Sequence, residues 1–317
     1  MQPTRGQPPE AVDPIGYHYH PALSSTRLKA AVSGTMRAYW ARYVDPNRVE
    51  VPPTDAMRQG SLVDTFITQP EKAEQRYLVL PADAPKRPTA KQLQDGRNSR
   101  PGTKIHDAYL DAQAREKWWE EFFPTIGRRE VVTQDWWDRA EAIREVLMAH
   151  PEIGPRLRDA LVTSQDPHLW FDEGMGEWCR YLPDLETDSG ELWDLKKARS
   201  CSPRAMVAQA YALAYDLQLS HYDSGYCDRH RGKPTQVGLI CYEWDWPHDS
   251  ILMPASDTLI ALGYERRNLA RRLIRECEEA GVWPSHETTE LTPPRWLMRG
   301  EPQPEEPAPT PDPIVLF

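Results

Sequence analysis

The chain predicts an α/β fold, a mixed β-sheet with helices packed around it. Three observations carry that prediction. Residues 23–44, 54–70 and 134–149 repeat their apolar positions at helical spacing. The middle of the chain then changes period to short aromatic runs, "HLWF", "EWCRYL" and "ELWDL". A helical stretch separates those runs from two further strand-like runs, "QVGLICYEW" and "SILMP", and a long helix closes the order.

Taken in turn, Ser24 or Ser25 caps a helix through "LSSTRLKAAVSGTMRAYWARYV", with Leu28, Val32, Tyr39 and Tyr43 recurring along it. "TDAMRQGSLVDTFITQP" reads as a second helix stopped by Pro70, and "RYLVLP" as a strand. Residues 82–104 are turn-rich and basic and read as a loop longer than ordinary connections. Helices follow at 105–121 and, after the capping signal in "TQDWWDRAEAI", at 134–149. The three aromatic runs, separated by "DEGMG" and "ETDSG", read as a three-stranded meander. A helix at about 203–221 leads to the last strands. The final helix, about 256–280, sets Leu262, Leu269, Leu273 and Cys277 on one side. Its other side is expected to carry Arg266, Arg267, Arg271, Arg272 and Arg275, as a solvated face or a track for phosphates. Pro-rich residues 1–16 and 301–317 are expected to be flexible, leaving 17–300 as one domain.

No apolar run is long enough to span a bilayer, and the start lacks the apolar stretch of a secretory signal. Five cysteines are scattered without a C-x-x-C pair, which fits a reducing cytoplasm and speaks against a zinc ribbon or disulfide framework. The formal charge of −10 disfavours a nucleic-acid partner at first sight. Glu301, Glu305, Glu306 and Asp312 contribute −4 of it from the tail, and an acidic metal site would add more negative charge.

The chemistry centres on "RYLPDLETDSG" and "ELWDLKKARS". In a strand Asp194 and Lys196 share a face while Trp193 and Leu195 share the other. Asp184, ending the preceding strand, can come alongside. These three residues either form a surface turn with a solvated ion pair or build a metal site. In the second case two carboxylates and the Leu195 carbonyl offer hard oxygen donors suited to Mg²⁺ or Mn²⁺. Lys196 would then orient or deprotonate a water, or stabilise developing charge at phosphorus. On the next helix Gln218 and Tyr222 are four apart and share a face.

P-D, about ten residues, then D-x-K in adjacent strands is the pattern of the PD-(D/E)xK nuclease superfamily. Gln218 and Tyr222 resemble the Q-x-x-x-Y motif of RecB-type nucleases, where the pair lines the site. The resemblance extends to the exonuclease domain of exodeoxyribonuclease VIII (RecE-type) and its phage relatives. "YHYHPALSSTRLKAAVSGTMRAYW" is similar to that family's opening segment, and "GSLVDTFITQPEKAEQRYLVLP" to its G-x-x-x-H helix and following strand. "GMGEWCRYLPDLETDSGELWDLKKARS" resembles its catalytic hairpins, with Arg180 in the basic position before P-D. "CYEWDWP" and "CEEAGVWPSHETTELTPPRW" resemble its closing strand and terminal segment, so the likeness covers about residues 17–297.

The resemblance implies a restriction-endonuclease-like mixed sheet flanked by helices and Mg²⁺- or Mn²⁺-dependent digestion of linear duplex DNA, 5′ to 3′. It also implies a homo-oligomeric ring and a single-strand annealing partner. Asp184, Asp194, Lys196, Gln218 and Tyr222 take the catalytic positions, and Asp184, Asp194 and the Leu195 carbonyl hold the metal. One departure is Asp64 in "GSLVD", where the family has a metal-ligating His. Asp is a hard oxygen ligand and is expected to serve. The alternative is a site impaired by that change, in a nuclease-derived DNA-end-binding or scaffold protein. Nucleases of the CRISPR-adaptation or helicase–nuclease kind often hold an iron–sulfur cluster on four cysteines, a spacing absent here.

Other residues carry weaker signals. Gly102–His106 repeats G-x-x-x-H out of order and is set aside. Glu173, Glu177 and Glu243 lie near the hairpins or the closing strand, and none is assigned a role. Lys86, Arg87, Lys91, Arg97, Arg100 and Lys104 make the long loop the expected DNA contact. The ending "DPIVLF" weakly resembles sliding-clamp-binding peptides, with Ile314, Leu316 and Phe317 in the apolar positions, and it also resembles single-strand-binding-protein tails.

Overall fold

The computed structural model describes Tyr17 and residues 20–49, 51–160 and 166–290. The first expected helix is two. Ser24 caps α1 (Ser25–Ser33) and Thr35 caps α2 (Met36–Tyr43), because extended backbone at Gly34 and Thr35 breaks the run. Thr54 caps α3 (Asp55–Thr68), which ends before Pro70. A short turn leads through α4 (Ala73–Arg76) to β1 (Tyr77–Val79). β1 pairs in parallel with β2 (Glu130–Val132), a three-residue strand too short to register as a period.

The segment expected as a long loop contains a helix. Thr89 and Gln92 form a capping box for α5 (Ala90–Asp95). α5 packs on α6 (Lys104–Ile126), whose 23 residues include one buried position, Ala112. α7 (Gln134–Ala149), capped by Thr133, and α8 (Ile153–Asp159) follow.

The expected meander does not form. β3 (His168–Asp172) and β4 (Glu177–Tyr181) make a separate two-stranded hairpin. Pro183, which has no backbone donor, interrupts the path, and β5 (Leu185–Glu186) pairs instead with β6 (Glu191–Ala198). The stretch expected as one helix is α9 (Pro203–Ala212) and α10 (Tyr215–His230), divided where Ala214 takes the left-handed conformation, φ 51°. β7 (Gln236–Glu243), β8 (Ser250–Pro254) and α11 (Asp257–Ala280) complete the chain order. The resulting four-stranded sheet runs β5-β6-β7-β8, with β6 and β7 parallel and the outer pairings antiparallel. It is a mixed sheet flanked by helices, as expected.

Strand alternation divides the core. Leu192 and Ala198 of β6 face a cluster shared with α1, α10 and α11. Trp193 and Leu195 face a second cluster shared with α3 and α7. No described helix is long and apolar enough to cross a membrane.

Helix α10 is buried along most of its length. Two glycines permit this. A Cβ at Gly225 would lie 2.3 Å from the Tyr181 ring, and one at Gly263 on α11 would lie 2.1 Å from the Asp216 carbonyl oxygen. Close approach of α10 to both β4 and α11 therefore requires a bare backbone at each crossing.

The arginines of α11 depart from the expected exposed face. Arg266, Arg267 and Arg271 are buried, while Arg272 and Arg275 are exposed. Arg266 pairs with Asp216 at 2.7 Å, Arg267 with Asp172 at 2.5 Å, and Arg271 with Glu177. Acids on α10 and on the β3–β4 hairpin draw these guanidiniums inward, where unpaired charge would be costly. They clamp the scaffold and present no phosphate track.

Candidate active site

Asp194 projects from β6 on the same face as Leu192, towards α10, and is 1% exposed. The Lys196 ammonium forms an ion pair with Asp194 Oδ2 and also donates to the Leu195 carbonyl at 3.4 Å. Both oxygens therefore converge on one cation. Asp184 Oδ2 accepts from the Leu195 backbone N–H at 2.8 Å, which fixes this carboxyl beside the same strand.

The charges are strongly interdependent. Burial, then the carboxylates of Asp194 and Asp64, push the Asp184 carboxyl well above its ordinary range. Lys196 opposes that rise. Burial alone would lower the Lys196 pKa, but Asp194 and Asp184 outweigh it and hold the ammonium charged.

Gln218 and Tyr222 come from α10, one turn apart and both buried. Gln218 Nε2 donates to Asp194 Oδ1 at 2.8 Å. Burial first, and the Asp194 charge second, push the Tyr222 phenol well up, so it is a neutral hydroxyl in this cluster. A residue the motifs did not flag completes the wall. Lys29 of α1 donates to Gln218 Oε1 at 2.6 Å. Burial and the charge of Lys196 lower its pKa to about 8, despite Asp194 and Asp184. Nothing in the spacing of "RLKAAV" distinguishes Lys29 from a solvated helix lysine; only tertiary packing reveals it.

Asp64 lies on α3, near enough for its charge to act on the site. It raises the Asp184 carboxyl and the Tyr242 phenol, in each case less than burial does. Among the described residues, no three His, Cys, Asp or Glu side chains converge closely enough to form a ligand set as they stand. The donor chemistry nonetheless suits a divalent cation, because the Asp194 carboxylate and Leu195 carbonyl already share the Lys196 ammonium.

Arg180, in the basic position before Pro183–Asp184, is buried on β4. Its Nε donates to Ala22 O at 3.1 Å, and its guanidinium sits 4.4 Å from the Tyr17 ring centroid. Glu177 is held by Arg271, and Glu243 accepts from Cys201 N at 2.6 Å. Glu173 is exposed in the β3–β4 turn. His106 sits at the start of α6, with Nδ1 3.4 Å from Ser99 Oγ. The tail residues Ile314, Leu316 and Phe317 lie outside the described residues.

The fold is similar to that of a crystal structure of a candidate exonuclease from Eubacterium rectale. The two match with a TM-score of 0.53 and 13% identity, over 88% of this chain and 93% of that one. At this identity the likeness is one of fold. No protein-family model and no curated protein matches the chain.

Proposed function

We propose that this chain is a metal-dependent exodeoxyribonuclease of the PD-(D/E)xK superfamily, RecE-type, acting on linear double-stranded DNA. One observation carries the reading: Asp194, Lys196, Gln218 and the Leu195 carbonyl form one bonded cluster, with Asp184 pinned beside it. A surface turn with a solvated ion pair would leave Asp194 exposed, and it is buried. The fold likeness to a candidate exonuclease supports the same direction.

In this reading Asp184, Asp194 and the Leu195 carbonyl hold Mg²⁺ or Mn²⁺, with Asp64 in place of the family His. The cation supplies Lewis acidity at the scissile phosphate and acidifies water. Gln218 holds the Asp194 carboxylate in one orientation. Lys196, beside Asp194, would position water or offset charge growing on the phosphoryl oxygens. Tyr222 supplies a neutral hydroxyl as a hydrogen-bond donor. The basic segment 82–104 lies along the duplex near its end. Digestion from the 5′ end would expose a strand for a single-strand annealing partner, with the nuclease working as a homo-oligomeric ring in the cytoplasm. The tail would tether it to a sliding clamp or a single-strand-binding protein.

The test is incubation of purified protein with end-labelled linear duplex, with Mg²⁺ and with EDTA. The expected result is metal-dependent shortening that Asp194→Asn abolishes while DNA binding persists. Equal cleavage by wild type and Asp194→Asn would overturn the assignment. A second reading, a DNA-end-binding scaffold with an impaired site, is favoured by Asp64 and by the lack of a three-residue ligand set among the described residues. Duplex binding without cleavage in either metal would select it.

A further inference from the structure

A side-chain amide between a carboxylate and a second group can sit either way round, and its neighbours decide which. At Gln218 they are opposite in kind: Asp194 accepts from Nε2 at 2.8 Å and Lys29 donates to Oε1 at 2.6 Å. Reversing the amide would set a carbonyl against the carboxylate and an NH₂ against the ammonium, two repulsive contacts in place of two charge-assisted hydrogen bonds. Lys29 is itself placed by its helix. Leu28, the preceding residue, is fully buried, and backbone bonds between Leu23 and Trp178 and between Arg180 and Leu23 at 2.9 Å tie the chain entering α1 to β4. The Lys29 and Lys196 ammoniums lie 5.7 Å and 5.5 Å from the centroid of the Tyr215 ring, so one ring serves both.

We propose that Lys29 is a positioning residue, whose ammonium fixes the Gln218 amide so that Nε2 holds Asp194. Its effect on rate rests on the nuclease reading above; the Lys29–Gln218–Asp194 linkage does not. Burial and the nearby Lys196 charge lower the Lys29 pKa to about 8, so the ammonium that donates to Gln218 still predominates at neutral pH. A lysine used instead to grip substrate phosphate would contribute mainly to DNA affinity, and the two roles separate experimentally.

The experiment uses Lys29→Met, Gln218→Leu and the double variant in the full chain. In EDTA, the melting-temperature loss of the double variant is expected to be clearly smaller than the sum of the singles, because each single change breaks the same hydrogen bond. With Mg²⁺ and linear duplex, Lys29→Met is expected to lower kcat about tenfold or more, as misplacement of a site group does. KM and the salt dependence of binding should be unchanged. Adding Lys29→Met to Gln218→Leu should cost nothing more, and Lys29→Arg, which retains a donor, should recover part of the rate. Additive melting losses, or a raised KM with unchanged kcat, would overturn the proposal and assign Lys29 to substrate. Absence of any cleavage by wild type would remove the nuclease reading and the effect on rate, and a coupled melting cycle would then leave the linkage as a structural one.

Discussion

The Asp184 carboxylate accepts from the Leu195 N–H at 2.8 Å and is thereby fixed to the strand that carries Asp194. Two acids held this close, in a buried setting, oppose each other's ionisation. Asp184→Asn keeps the shape and an acceptor while removing that conflict. The variant is expected to melt at or above the wild-type temperature in EDTA, to lose the melting-temperature rise caused by Mg²⁺, and to be inactive. Thermal scans with and without Mg²⁺ check all but the last, which the cleavage assay decides. A clear fall in stability would assign the Asp184 charge a stabilising role.

Asp64 lies close enough for its charge to act on Asp184. Asp64→Ala is expected to lower cleavage by more than about tenfold, and Asp64→His to retain activity or shift the preference between Mg²⁺ and Mn²⁺. Titration of both metals against rate makes the comparison. An alanine variant as active as wild type would place Asp64 outside the chemistry.

Arg97, Arg100 and Lys104 are exposed around α5 and the start of α6. Replacing all three with alanine is expected to weaken duplex binding and to flatten its salt dependence, by about 0.9 in slope for each phosphate that is no longer neutralised. The rate at saturating DNA should not change. Binding measured across a salt series tests this; unchanged slope would leave the segment without a DNA role.

His221 is fully buried on α10, with Nε2 2.9 Å from the Arg180 carbonyl oxygen. Burial first, and the Arg267 charge second, hold its pKa well below 6.5. The folded protein keeps it neutral, whereas the unfolded chain takes up a proton as pH falls through about 6.5. Stability is therefore undiminished by this group above that pH and falls below it, at up to about 1.4 kcal/mol per pH unit. Urea unfolding between pH 7 and pH 5 should show a shallower decline for His221→Gln than for wild type.

Legibility of this chain followed the range of the forces involved. Caps at Ser24, Thr133 and the stop before Pro70 are local hydrogen-bond and steric effects, and they stand where local pattern puts them. The alternation of Asp194 and Lys196 against Trp193 and Leu195 is likewise a property of one strand. Strand partners are not local. The aromatic runs look alike, and only tertiary competition sends β4 to β3 and β6 to β5 and β7. The arginines of α11 escape local pattern for the same reason, since the acids that draw them inward lie 50 to 95 residues away in the chain. Lys29, 189 residues from Gln218, is out of reach of any motif.

The close approach at Gly263 ties two parts of the molecule that share no chemistry. Its bare Cα admits the Asp216 carbonyl, and Gln218 stands two residues further along the same rigid helix. A single added methyl group there cannot be absorbed by a side-chain rotation, because what it meets is backbone. Either α11 or α10 has to shift, and any shift of α10 at Asp216 carries the Gln218 amide with it. Enzymes lose turnover to errors of this size even when every reacting group is intact. A chemically silent position on α11 thus acts as a spacer gauge for the cluster, and on the proposed nuclease reading damage to it would be read in an assay as a catalytic lesion.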